Sequence, residues 1–256
     1  MPTIEENLRS WSETYDWPED GEEWSKAWGG SEAQWFFVIF PRIHLFLPAD
    51  TILEIAPGYG RWTQYLAAHC GRLVGVDLSA TCVDACTRRF RQVPHASFQQ
   101  NDGYSLTAVP DQSVDFAFSF DSLVHAEQDV IAAYLRELAR VLKPSGVAFI
   151  HHSNLGAMQD SGTGALRAGI GNPHWRAVSV SAHTVAGECE PAGLSCVSQE
   201  LANWGVDYLS DCMSVVTPSG STWARETVRL ENPDFMKEAN HVAAVARAYV
   251  RARAGV

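Results

Sequence analysis

One stretch constrains this chain more than any other. Ile52-Leu53-Glu54-Ile55-Ala56-Pro57-Gly58-Tyr59-Gly60-Arg61-Trp62-Thr63 is an apolar run, then a glycine loop, then a helical pattern through Leu66. This order reads as a buried strand, a tight turn and a helix N-terminus, the opening of an α/β nucleotide site. Gly58 and Gly60 let the backbone approach a ligand and take angles that other residues avoid. Glu54 is an acid within an apolar strand and needs hydrogen-bond donors to be tolerated there. A second strand, Arg72 to Ser79, ends in Asp77, about 20 residues past the glycines, the spacing of a ribose-binding carboxylate. The dinucleotide pattern G-x-G-x-x-G is not met, since position 63 is Thr. A nicotinamide-dependent enzyme is therefore the weakest reading.

The alternation continues. Strands are expected at 51–56, 72–77, 96–100, 113–120 and 147–152, with helices at 60–69, 79–91, 103–107 and 127–142 between them. Such βαβα order implies a mostly parallel sheet covered on both faces, with ligands beyond the carboxyl ends of the strands. Residues 1–48 form an N-terminal helical layer or lid, broken near Gly29-Gly30 and at Pro41. Residues 153–180, rich in Gly, Ser and Asn, read as an insertion over the acceptor site. A helix over 181–191 and a hairpin of strands near 194–203 and 206–217 complete the core 49–220. Residues 221–256 are a C-terminal extension, with helical spacing from Phe235 to Val250.

The net charge of −11 argues against an exposed nucleic-acid track, which needs clustered Lys and Arg. No signal peptide or membrane-length apolar run is present. The six cysteines form no CxxC, and buried thiols in a reducing cytoplasm are the expectation.

The loop Glu54 to Gly60 and the strand end Val76-Asp77-Leu78-Ser79 resemble the first two motifs of class I S-adenosylmethionine (SAM)-dependent methyltransferases. Ala56-Pro57 stands where Gly-Cys or Gly-Thr is more usual. The resemblance runs to about Gly220. It implies a Rossmann-like fold with a mostly parallel seven-stranded sheet and an antiparallel edge strand. It also implies SAM as cofactor. The expected contacts to it are Glu54, Ala56, Pro57, Gly58 and Gly60 in the loop, then Asp77, Leu78 and Ser79. Asn101, Asp102 and Gly103 follow the third strand, with Asp102 on the adenine amino group, and Phe120 and Trp28 complete the set.

Chemistry should sit at the next two strand ends. Asp121-Ser122-Leu123-Val124-His125 follows the fourth strand, and His151-His152-Ser153-Asn154 ends the fifth. His125 or His152 is a candidate base for an acceptor hydroxyl. The alternative is a divalent metal such as Mg²⁺, held by Asp121, His151 and Asn154 and polarising that hydroxyl. His174, Trp175 and Arg176 of the insertion are candidates for a sugar ring or phosphate, and Asn203, Asp207 and Asp211 for acceptor hydroxyls or the metal. The Asn/Asp-Pro-Pro-aromatic signature of amino-group methyltransferases is absent, which points to oxygen as nucleophile. The pattern is similar to bacterial sugar O-methyltransferases of natural-product pathways, including those acting on nucleotide-linked deoxysugars such as TDP-rhamnose. That resemblance implies a small-molecule acceptor, no nucleic-acid or membrane partner, and a homo-oligomer. A phenol or carboxylate acceptor is the first alternative, favoured by a Trp- and Phe-lined cleft. A non-catalytic SAM-binding protein is the second.

Overall fold

A computed structural model describes residues 2–249. Among these residues eight strands form one sheet: β1 (Ala49–Ile55), β2 (Cys70–Asp77), β3 (Ala96–Gln100), β4 (Val114–Ser119), β5 (Leu142–Ser153), β6 (Leu194–Ala202), β7 (Asp211–Pro218) and β8 (Val228–Asn232). Their order is β3-β2-β1-β4-β5-β7-β6-β8. The first five are mutually parallel. β7 runs antiparallel to both β5 and β6, and β8 lies parallel to β6. The fold is thus the expected Rossmann-like one with two corrections. Among the described residues the sheet has eight strands rather than seven, and the antiparallel strand β7 is internal because it inserts between β5 and β6, while β8 extends the sheet beyond β6. Thr227 Oγ1 donates to the Cys196 carbonyl and Asn232 to Glu200, which holds β8 on that edge. A five-residue strand with two charges leaves too little period to be read from sequence.

Period-two alternation explains the two cores. Leu53, Ile55, Val74, Val76 and Ile150 face helices Gln128–Val141 and Ala182–Cys189. Ile52, Leu73, Phe116, Phe118 and Phe149 face the N-terminal layer through Trp35, Val38, Ile39 and Ile43. That layer breaks at Gly29 and Gly30, both at positive φ. It does not break at Pro41: helical backbone continues from Ser31 to Phe46, and a widened turn at Trp35–Ile39 precedes the proline. A wider turn accommodates the missing N–H and the ring. The expected helix at 103–107 is a pair of turns, and β5 starts at Leu142, directly after the preceding helix, rather than after Gly146. Helix Ala80–Arg89 begins at Ser79, which accepts the Cys82 N–H, and Ser181 with Thr184 forms a capping box. The C-terminal helix is described as Phe235–Tyr249. Val250 and the Arg-rich flank after it lie outside the described residues. No described helix is long and apolar enough to cross a membrane.

Candidate active site

The strand order reverses between β1 and β4, and a cavity of about 600 Å³ opens beyond their carboxyl ends. At one end of it stands Asp77. Its carboxylate accepts the Gly58 N–H at 3.0 Å and the Ser79 N–H at 2.8 Å. Burial pushes its carboxyl up to about 6 against those two bonds. Ala56, Pro57, Gly58, Leu78 and Gly103 share this wall, with Phe120 and Trp28 further along. Ala56 takes φ +56°, the left-handed conformation that glycine adopts without cost. A buried carboxylate with spare lone pairs, facing a cavity beside backbone at Gly58, fits the ribose of SAM.

Five expected cofactor contacts do not lie on the cavity wall. Glu54 is buried beneath the loop, where Thr63 Oγ1 donates to it at 2.5 Å. Burial raises its carboxyl to about 8, against the Thr63 bond and helped by the nearby Asp77 charge. It shapes the loop from behind. Gly60 is needed for packing, since a Cβ there would stand 2.3 Å from the Phe90 ring. Ser79 caps its helix and receives a bond from Ser12. Asn101 ties its own turn together, donating to the Ser105 carbonyl and to Tyr134 Oη. Asp102 is exposed, and one of its oxygens accepts the Tyr104 and Ser105 N–H groups, which lower its carboxyl. Its turn offers Gly103, not the acid, to the cavity.

The other end holds a buried ion network. Arg61 Nη2 lies 3.0 Å from Asp121 Oδ2, and Arg176 Nη2 lies 3.5 Å from Asp121 Oδ1. Arg176 also forks onto Asp211, with Nη2 at 2.9 Å and Nε at 3.1 Å from Oδ2. His151 Nδ1 accepts the Asp121 backbone N–H at 3.1 Å, so Nε2 carries the proton and donates to Asp211 at 3.0 Å. Burial alone would raise both carboxyls. Arg61 and Arg176 hold Asp121 below its usual range, and Arg176 with His151 does the same for Asp211. Asp121 and Trp175 both stand at positive φ, +61° and +53°. With Ala56 and Trp17 they make four non-glycine residues in this conformation along the cavity, strain that surrounding contacts must hold in place.

His125 also lines the cavity. Its Nδ1–H donates to the Trp175 carbonyl at 2.9 Å, which leaves Nε2 as a lone pair. Burial, with the Arg176 charge, lowers the ring to about 4. His152 is different. It points to the opposite face of β5 from His151, as alternation requires, and is bonded to the Ser153 carbonyl and Ser214 Oγ. It is a fully buried structural residue and does not serve as the base. The metal set is corrected too. The oxygens of Asp121 face two guanidiniums, both ring nitrogens of His151 are used, and Asn154 Oδ1 accepts the Ala182 N–H while Nδ2 donates to Leu209. These donors do not fit a metal ion, and no cluster of three or more His, Cys, Asp or Glu among the described residues is placed to hold one.

Of the remaining candidates, His174, Trp175 and Arg176 reach the cavity. Asn203 instead accepts the Met236 N–H, and Asp207 is exposed. The residues that sequence reasoning leaves unassigned are Arg61 and a ring of tryptophans: Trp11, Trp17, Trp24, Trp62 and Trp204; Asp211, a candidate beside Asn203 and Asp207 for acceptor hydroxyls or a metal, instead pairs with Arg176 and His151 behind the cavity wall. Arg61 directly follows the glycine loop, and this was the available signal. The N-terminal tryptophans come from the stretch read as a helical layer or lid, with no motif to mark them. Trp17 covers Gly58, where a Cβ would lie 2.7 Å from its ring, and stacks on Tyr59 at 4.5 Å.

A family model described as a methyltransferase domain matches residues 52–146. The chain is 27% identical over 101 residues to the ribosomal RNA small subunit methyltransferase A of Dehalococcoides mccartyi, covering 39% of this chain and 34% of that one. It is 35% identical over 109 residues to an S-adenosyl-L-methionine-dependent Diels-Alderase of Talaromyces variabilis, covering 40% and 36%. The match therefore spans about a third of the length of these curated relatives. A crystal structure of a Pyrococcus horikoshii OT3 protein shares the fold, with a TM-score of 0.56 at 17% identity over 82% of this chain and 95% of that one.

Proposed function

From the match of residues 52–146 to a methyltransferase domain, we infer that the protein is a SAM-dependent methyltransferase that transfers a methyl group to a hydroxyl on a small, mostly apolar ring, a phenol in the first instance. The observation that carries this reading is the cavity itself. Its 600 Å³ must hold cofactor and acceptor together, whereas pockets for one drug-sized ligand already run from about 300 to 1,000 Å³. Trp11, Trp24, Trp62, Trp175 and Trp204 line the cavity, with Trp175 against His125 and Trp204 against His151 and Arg176 at the acceptor end. The charged groups on the wall are Arg61 and Arg176 against Glu23, Asp77 and Asp121. That balance suits a cationic cofactor and a neutral acceptor. A nucleotide-linked sugar would bring a diphosphate to a site whose arginines are already paired, so size and charge favour the phenol over it. Ribosomal RNA, named for one relative, is disfavoured by the net charge of −11.

SAM, when bound, supplies an electrophilic methyl on a sulfonium whose positive charge is lost on transfer. Asp77 accepts hydrogen bonds from the ribose hydroxyls. Arg61 and Arg176 fix Asp121, which orients the acceptor. His125 Nε2 takes the hydroxyl proton. The ring enters neutral at any pH well above about 4, and the charge it gains replaces the one the cofactor loses, so the buried site keeps its net charge. Aromatic walls exclude water and align the reactants.

The test is to incubate the protein with SAM and a panel of small phenols, carboxylates and nucleotide sugars while measuring S-adenosylhomocysteine. Phenols should turn over. His125→Ala should lower turnover by about 10²–10⁴-fold with SAM affinity nearly unchanged, and a parallel loss of both would remove His125 as the base. The Diels-Alderase relative favours a second reading, a cyclase-like protein that binds SAM without consuming it. Cofactor bound tightly but left intact with every acceptor would support that reading over methyl transfer.

A further inference from the structure

β8 ends the sheet, and among the described residues no strand pairs with its outer edge. An open edge of this kind presents unpaired N–H and C=O groups and is a template for another strand. Its sequence is Val228-Arg229-Leu230-Glu231-Asn232. Val228 and Leu230 are 58% and 55% exposed. The parallel register places Leu230 beside Glu200 of β6, and Glu200 is gripped by Arg42 from the N-terminal layer. Val228 and Leu230 therefore stand on the face that this layer covers.

We propose that the β8 edge is a homodimer interface, in which two copies pair their β8 strands antiparallel about a two-fold axis through Leu230 and continue one sheet across both subunits. The charge pattern selects this occupant. In that register Leu230 meets Leu230, Val228 meets Asn232, and Arg229 of each copy meets Glu231 of the other. The strand is complementary to itself, as a two-fold interface requires. Opposite charges directly across an antiparallel pair stabilise it, and like charges destabilise it. Two five-residue strands cover less than the roughly 1,600 Å² total of a typical stable interface. The rest of that area has to come from the side chains flanking the strand, chiefly Val228 and Leu230, exposed on one face of it.

The test is sedimentation velocity of the full chain over a concentration series, with circular dichroism to verify folding. The wild type should be a concentration-dependent dimer. Glu231→Arg places Arg opposite Arg twice and should weaken the dimer by about tenfold or more. Arg229→Glu combined with Glu231→Arg restores opposite charges in the same register and should recover most of that loss. Leu230→Lys should leave a folded monomer. A monomeric wild type at all concentrations, or a dimer indifferent to Glu231→Arg, overturns the proposal. A dimer that Glu231→Arg weakens and the charge swap does not restore would place the contact elsewhere on this face and overturn it equally.

Discussion

The two ends of the cavity are built in different ways. The cofactor end rests on local chain. Asp77 is bonded to the backbone of Ser79, two residues on, and of Gly58, 19 residues back across adjacent parallel strands. The acceptor end rests on distant partners. Asp121 meets Arg61 across 60 residues, Arg176 meets Asp211 across 35, and His151 meets Asp211 across 60. The first end presents backbone and one carboxylate to a ligand that many proteins share. The second presents side chains whose charges are balanced among themselves, so that a neutral acceptor can enter without an unpaired ion being left in a buried site. A change at the acceptor end should therefore be felt by the whole fold, and a change at the cofactor end mainly by the ligand.

The sharpest way to break this contrast is at Asp211, which is fully buried. Asp211→Ala leaves Arg176 and His151 facing a lost charge. Removing one partner of a buried ion pair typically costs about 3–5 kcal/mol. The expected outcome is a large drop in thermal and denaturant stability together with loss of turnover. A variant with wild-type stability would mean that solvent reaches the network and that the acceptor end is no more cooperative than the cofactor end.

Asp77→Ala should do the opposite. It removes hydrogen bonds from a charged acceptor, worth about 1.5–3 kcal/mol each, so SAM affinity should fall at least tenfold by calorimetry while the fold persists. The wild type adds a pH signature. Burial places the ligand-free carboxyl near 6, and ribose hydroxyls favour the ionised form. Binding must then release a proton below that pH. Affinity should decline by up to about tenfold per unit as pH falls below about 6, and the decline should vanish in Asp77→Ala. A flat profile in the wild type would remove Asp77 from the ribose contact.

The same contrast explains what was legible in the sequence. The Ile52–Thr63 stretch and Asp77 carry their meaning in spacing, because strand, turn and helix follow one another without a gap. The β-strand period also separated His151 from His152, although not which of them faced the site. Arg61 and Asp211 were on the page, but no local pattern says that residues 60 positions from their partners will pair. The metal set failed for this reason: Asp121, His151 and Asn154 do converge on neighbouring strand ends, but their lone pairs are taken by guanidinium and backbone groups that only the fold brings there. Asp102 failed more simply. Its turn projects Gly103 inward and the acid outward. β8, short and half charged, carried no period at all.

The smallest expected effect concerns Glu54, the acid that the loop motif most advertises. Its carboxyl, raised by burial to about 8, is protonated in the folded protein at neutral pH and accepts the Thr63 hydroxyl. Glutamine is neutral, nearly isosteric and has an oxygen for the same bond. Glu54→Gln should therefore lie within about 1 kcal/mol of the wild type at pH 5 and bind SAM with almost unchanged affinity. The sign of the pH dependence follows from linkage. A carboxyl raised in the folded state takes up a proton on folding between its unfolded value and about 8. Its contribution to stability is complete below the unfolded value and is lost as pH rises through the folded one. The glutamine has no such dependence, so the variant should gain on the wild type as pH climbs towards 8. Parallel stability curves for the two proteins across this range would mean that Glu54 is ionised in the folded state. The loop would then be held by charge, as the acceptor end is, and the contrast between the two ends would narrow to Asp77 alone.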